Sequence, residues 1–192
     1  MKLGVLVSGR GSNLEAILDA GFEVAVVVSN RRGVRALDVA AAHGVPAIIR
    51  RRSAFPDVDA RDAAIGADLA TAGVDVAVLA GYDQRLRPAY FAAFDGRTIN
   101  LHPSLLPAHG GAGMMGLAVH QAVLEAGDAE TGVTVHEVTP ELDAGPILAQ
   151  ARVPVVAGDD AETLAARVLA AEHRLLVSTI STLVDTPSAT AR

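Results

Sequence analysis

The chain has 192 residues, enough for one domain with a sizeable core, and 51% of them are hydrophobic against 20% charged, which excludes an intrinsically disordered chain. Sixteen Lys and Arg against 22 Asp and Glu leave a formal charge of −6, so there is no excess of positive charge to support non-specific nucleic-acid binding. Zero cysteines exclude a disulfide framework, thiolate metal sites and a cysteine nucleophile. No apolar run reaches the roughly 18 residues of a membrane span, and the short apolar stretch after Met1-Lys2 does not suit a signal peptide. A cytoplasmic protein with no nucleic-acid or membrane partner is expected.

In chain order, Leu3 to Val7 is an apolar run without polar alternation, the pattern of a strand buried on both faces of a parallel sheet. Glu23 to Val28, Pro46 to Ile49 and Val74 to Ala80 repeat it, with many β-branched residues. Between these runs the spacing predicts helices over Leu14–Ala20, Val34–His43 and Asp59–Ala72, each followed by a glycine (Gly21, Gly44, Gly73) that suits a helix stop. Thr98 to Leu101 reads as a further strand, stopped at Pro103, and 105–116 reads as a loop with Pro107 and four glycines. A helix is expected over Leu117–Ala126, paired strands over Thr131–Val138 and Ile147–Val153, and a closing helix over Ala161–Val184 with Leu164, Val168, Leu175 and Leu176 at core spacing. Strand–helix alternation of this kind implies right-handed crossovers. The expected fold is α/β: a single-domain, Rossmann-like, mostly parallel twisted sheet with helices on both faces and an antiparallel strand pair near the C-terminus. The domain should span 1–185 and leave 186–192 as a frayed polar tail.

Three segments could carry chemistry. Gly9-Arg10-Gly11-Ser12-Asn13 follows the first strand and opens the first helix, where backbone N–H groups and the helix dipole favour an anion, typically a phosphate. A dinucleotide fingerprint would place glycine or alanine where Leu14 stands. Arg31 and Arg32 could nevertheless hold a 2′-phosphate, so an NADP-dependent oxidoreductase stays open. Asn100 and His102, two apart on a strand, project from the same face at its carboxyl end, an amide donor beside a proton carrier. Asp143 lies in a turn between two strands; it is either a turn former or, if the fold brings it to His102, the carboxylate that orients the ring. The remaining histidines have no metal-ligand spacing, so no metal is expected. No nucleophile elbow of the serine-hydrolase type is present, and Arg50-Arg51-Arg52 reads as a solvated edge.

Taken in order, Gly9 to Leu14, Leu79-Ala80-Gly81-Tyr82, Asn100-Leu101-His102-Pro103-Ser104-Leu105-Leu106-Pro107, Gly132 to His136, Leu142 to Pro146 and Glu172-His173 resemble the phosphoribosylglycinamide formyltransferases over almost the whole chain. The resemblance implies formyl transfer from 10-formyltetrahydrofolate to the amine of glycinamide ribonucleotide, in de novo purine biosynthesis, by a monomer or homodimer. It implies that Gly11, Ser12 and Asn13 grip the substrate phosphate, with Glu172 on the same substrate. It assigns Asn100, His102 and Asp143 as the catalytic trio: Asn100 and His102 stabilise the oxyanion, His102 moves the proton toward the leaving nitrogen, and Asp143 holds the imidazole and favours its charge. Folate would lie along Asp83, Gln84, Arg85 and Leu86, beside Asn100 and the turn Thr139, Pro140, Glu141, Leu142 and Asp143, with Arg61 near its glutamate tail. Three departures stand out. Asp83-Gln84 replaces the family's Met-Arg and alters the contour of the pterin pocket, which keeps a degenerate folate- or nucleotide-binding protein in view. The loop 109–116 is unusually glycine-rich and suits a flap. Leu169 removes a polar phosphate contact.

Overall fold

The protein is described here from a computed structural model covering residues 1–185. The polar tail expected over 186–192 lies outside the described residues. Seven strands form one sheet in the order β3-β2-β1-β4-β5-β6-β7. β1 (Leu3–Val7), β2 (Val24–Ser29), β3 (Ala47–Ile49), β4 (Val76–Leu79) and β5 (Arg97–His102) are parallel, while β6 (Glu130–Glu137) and β7 (Ile147–Pro154) run antiparallel beside β5. β1, β2 and β4 are almost wholly apolar without alternation because both of their faces are covered. Val5 and Val7 point into one layer with α1 (Ser12–Asp19), α2 (Arg35–Ala42), α5 (Leu117–Ala126) and α6 (Ala161–Asp185). Leu6, between them, points into the other layer with α3 (Val58–Thr71) and α4 (Pro88–Ala93). The period-2 alternation of the pleat thus feeds two cores from one strand.

The expected fold class holds, and the differences are local. α1 starts at Ser12, not Leu14, and neither Ser12 nor Asn13 caps it: Gly11 is the cap residue, at φ 77°. That left-handed turn needs glycine, and a Cβ there would also lie 2.7 Å from the Ala36 Cα. α4 was not expected; Pro88 presets its first turn, and its Tyr90 is fully buried, with its hydroxyl 2.9 Å from Thr98 Oγ1. A short 3-10 turn over Arg52–Ala54 was also unforeseen. β5 runs one residue past the expected end, to His102, because β6 continues its hydrogen-bond ladder, pairing Asn100 with His136 and His102 with Thr134.

Candidate active site

β1 has β2 on one side and β4 on the other, so the chain changes winding direction between β1 and β4, where open α/β sheets leave a crevice at the strands' carboxyl ends. A cavity of about 650 Å³ opens there. The glycine turn after β1, the segment after β4, the end of β5, the loop before α5 and the β6–β7 connection all line it. The turn is held from below: Ala36 N donates to Gly9 O at 3.1 Å, and the Arg35 guanidinium donates to Arg10 O. The first N–H groups of α1 have no partner within the helix and face the same end. Beside them Asn13 donates to Glu172 Oε2 at 2.9 Å, joining α1 to α6. Burial at this spot pushes the Glu172 carboxyl above its ordinary range, against the opposing pull of Asn13 and of the nearby His173, Arg10 and His102.

Asn100, His102 and Asp143 come together on the far wall. His102 Nε2 lies 2.9 Å from the His109 carbonyl; a carbonyl only accepts, so Nε2 carries the hydrogen and Nδ1 faces the site. Asp143 Oδ2 is 3.9 Å from that Nδ1, an ion-pair separation longer than a hydrogen bond, and both side chains are nearly buried. Asp143 has φ 52°, an uncommon conformation for a non-glycine residue, held by the Gly111 N–H, which donates to Oδ2 at 2.8 Å. The connection carrying Asp143 packs so closely on β6 that a Cβ on Gly145 would fall 1.9 Å from the Glu137 carbonyl. The glycine-rich loop 109–116 therefore supplies one contact to the histidine and another to the carboxylate. The Asn-x-His-Pro-Ser stretch is fixed by Thr134, which donates to Ser104 O at 2.7 Å and accepts from Leu106 N at 3.0 Å.

Comparison with known proteins now decides the family. A family model described as formyl transferase matches residues 1–180. The chain belongs to the formyl transferase family. It is 40% identical over 191 residues to the phosphoribosylglycinamide formyltransferase of Escherichia coli strain K12, covering 96% of this chain and 88% of that protein. The crystal structure of glycinamide ribonucleotide transformylase 1 from Symbiobacterium toebii superposes with a TM-score of 0.90 at 41% identity, covering 96% of this chain and 88% of that one. The trifunctional purine biosynthetic protein adenosine-3 of Drosophila pseudoobscura pseudoobscura is 41% identical over 180 residues, which are 90% of this chain and 13% of that much longer protein.

Within this formyl transferase, the cavity is lined by Gly11, Ser12, Asn13 and Glu172, and also by Asp83, Gln84, Arg85, Leu86, Thr139, Glu141 and Leu142. Pro140 is not on its wall, although its carbonyl accepts from the Arg85 guanidinium at the rim. Arg61 stands apart from the expectation. It is 1% exposed, bonded at 2.7 Å to the buried Asp62 and at 3.3 Å to Gln84 Oε1, and it does not reach the cavity. A buried arginine must be paired, and Asp62 is the partner that fixes it inside. Asp83 proves to be a hub: it accepts from Ser8 Oγ and Asn30 Nδ2 and pairs with the Arg31 guanidinium, so three strand ends are tied together. Burial raises the Asp83 carboxyl, but the donors Gln84, Asn30 and Ser8 and the charge of Arg31 outweigh it and leave it below its ordinary range. Arg31, one of the two arginines (with Arg32) that a cofactor 2′-phosphate would use, is thus already engaged. Leu169 does line the cavity, as an apolar wall.

Two residues of the site were not anticipated. His120 lines the cavity, with its pKa lowered by burial and by the nearby His102. His136 sits beside Asn100 and Asp143 as a consequence of the β5–β6 register, which only the folded sheet reveals. Among the described residues, no cluster of three or more His, Cys, Asp and Glu side chains could hold a metal ion, and no helix is long and apolar enough to cross a membrane.

Proposed function

We propose that this formyl transferase moves the formyl group of 10-formyltetrahydrofolate to the amine of N1-(5-phospho-D-ribosyl)glycinamide, releasing tetrahydrofolate and the N2-formyl product in de novo purine (IMP) biosynthesis. The reading rests on one observation above all: an amide, an imidazole and a carboxylate converge in one cavity that is also lined by a glycine turn opening a helix, a place that suits an anion. The cavity volume lies within the range of about 300–1,000 Å³ usual for small-molecule sites. Leu86, Val138 and Leu142, with Thr139, Asn100 and the rim Arg85, suit a flat ring system with polar edges. At the other end Gly11, Ser12 and Asn13 receive the ribonucleotide phosphate, and Glu172 meets the same substrate. We place the reaction in the cytoplasm, in keeping with a chain that has no cysteines.

The folate co-substrate supplies the electrophilic formyl carbon. Asn100 offers an amide N–H to the oxygen that gains charge as the substrate amine attacks, a donor aimed where charge develops. His102 holds its Nε2 hydrogen on the His109 carbonyl, which leaves Nδ1 as the atom that moves a proton toward the departing folate nitrogen. Asp143 faces Nδ1 and orients the ring.

The decisive experiment is a formyl-transfer assay with both substrates, comparing the parent protein with Asn100→Ala and His102→Ala. Each variant should lose about 10²–10³-fold in kcat while melting within a degree or two of the parent. Binding of both substrates without release of tetrahydrofolate by the parent protein would instead mark a binding protein that has lost turnover.

A further inference from the structure

We infer that His136 is the positioning residue that locks the Asn100 amide in its working orientation, acting as a neutral hydrogen-bond acceptor. His136 is 2% exposed and lies directly across the β5–β6 ladder from Asn100. Its Nδ1 is 2.8 Å from the Glu137 carbonyl. That oxygen can only accept, so Nδ1 carries the ring hydrogen, and in the neutral ring Nε2 is a bare acceptor. Nε2 lies 3.1 Å from Asn100 Nδ2. An acceptor at that point selects one of the two amide flips: nitrogen toward His136, oxygen away. One amide hydrogen is consumed by the ring and the other is left for a reactant.

The opposite flip would set the amide oxygen against a lone pair and leave no N–H on that side. An unconstrained asparagine would divide its time between the two, and the fraction in the wrong flip would have no donor to offer the developing oxyanion. The groups that face the ring are Asn100 and His102 on β5, the Glu137 carbonyl on its own strand and Asp143 on the β6–β7 connection, with Asp143 Oδ1 3.8 Å from Nε2. Burial, the largest influence, and His102 draw the His136 pKa down, and outweigh the Glu137 carbonyl and Asp143, which draw it up. The ring is thereby kept in the neutral form that accepting from Asn100 requires. A charged ring would instead turn an Nε2 hydrogen toward Asp143 and abandon the asparagine.

This inference rests on the formyl-transfer reading for its kinetic consequence, and its structural half can be tested apart from it. In the unmodified, isotope-labelled protein at neutral pH, nitrogen chemical shifts should show His136 as the Nδ1-protonated neutral tautomer, with a through-hydrogen-bond coupling between its Nε2 and Asn100 Nδ2. A ring protonated at Nε2 would overturn the inference whatever the protein catalyses. Kinetically, His136→Phe keeps a flat ring but removes the acceptor. Its kcat should fall by about 10- to 100-fold, the size found when partners that orient metal ligands are removed, with KM for both substrates within about twofold. His136→Gln presents an amide oxygen and should recover most of the lost kcat. A His136→Phe variant with parental kcat would refute the positioning role. If the parent protein transfers no formyl group, the formyl-transfer reading fails while the tautomer result still stands or falls alone.

Discussion

Glu172 shows how one side chain trades stability for a site. It is half-buried against Asn13, with its carboxyl raised above the ordinary value of 4.5. A raised carboxyl means that the folded chain holds the proton more tightly than the unfolded chain does. The stability this group contributes is therefore complete below about pH 4.5, and is lost as pH rises through its folded-state value. Glu172→Gln keeps an acceptor for Asn13 without the charge. It should melt higher than the parent at pH 7, with the gain shrinking toward zero as pH falls to 4.5. The same variant should weaken ribonucleotide binding, raising KM for that substrate more than it lowers kcat. Melting curves across this pH range decide it: a gain that grows toward acid has the wrong sign. The carboxylate itself could be singled out in the sequence, but its environment could not, since Asn13 and Glu172 are separated by the whole length of the fold. Arg61 misleads for the related reason that its partner, the adjacent Asp62, turns inward with it. His136 escapes notice because its meaning is its strand register opposite Asn100, and no local pattern states which residues two strands will set side by side.

At the level of elements, what was readable follows from burial. β1, β2 and β4 announce themselves because a strand covered on both faces must be apolar throughout, and α6 because its apolar stripe is long enough to show a helical period. α4 does not, because six residues give under two turns and no period to count. Yet α4 is not an ornament. It places Tyr90 in the second core, where Gly66 of α3 comes so close that a Cβ would lie 2.7 Å from the Tyr90 carbonyl. Tyr90→Phe keeps the ring packing and strands Thr98 Oγ1, which should cost about 1–3 kcal/mol. Leu176→Ala, on the α6 face that is wholly buried against the sheet, should cost more, about 2–5 kcal/mol, because it leaves a cavity. Urea midpoints should therefore fall in the order parent, Tyr90→Phe, Leu176→Ala, with unchanged slopes and with kcat retained below the transition. A Tyr90→Phe variant as stable as the parent would mean that the Tyr90–Thr98 hydrogen bond contributes nothing net.

Across the whole molecule, the two layers of helices make the sheet a rigid frame and leave the chemistry to segments at one end of it. Asp83 ties the ends of β1, β2 and β4 together, and the loop 109–116 touches both His102 and Asp143, so one set of contacts braces the cavity from the strand ends and another from the loop. A ligand that binds only the folded frame stabilises it by about 2.7 kcal/mol at 100 times its dissociation constant, which for a chain of this size is about 5–10 °C in Tm. Glycinamide ribonucleotide and a non-reactive folate analogue should each produce such a shift alone, one from each end of the cavity, and a larger one together. NADPH should produce none, because Arg31 is engaged by Asp83 and Leu14 stands where a dinucleotide turn needs a small residue. Asp83→Ala frees Arg31 and unties the strand ends, so it should reduce both single-ligand shifts at fixed ligand concentration. A reduction confined to the folate analogue would mean that Asp83 shapes only its own pocket and that the two ends are not joined through it.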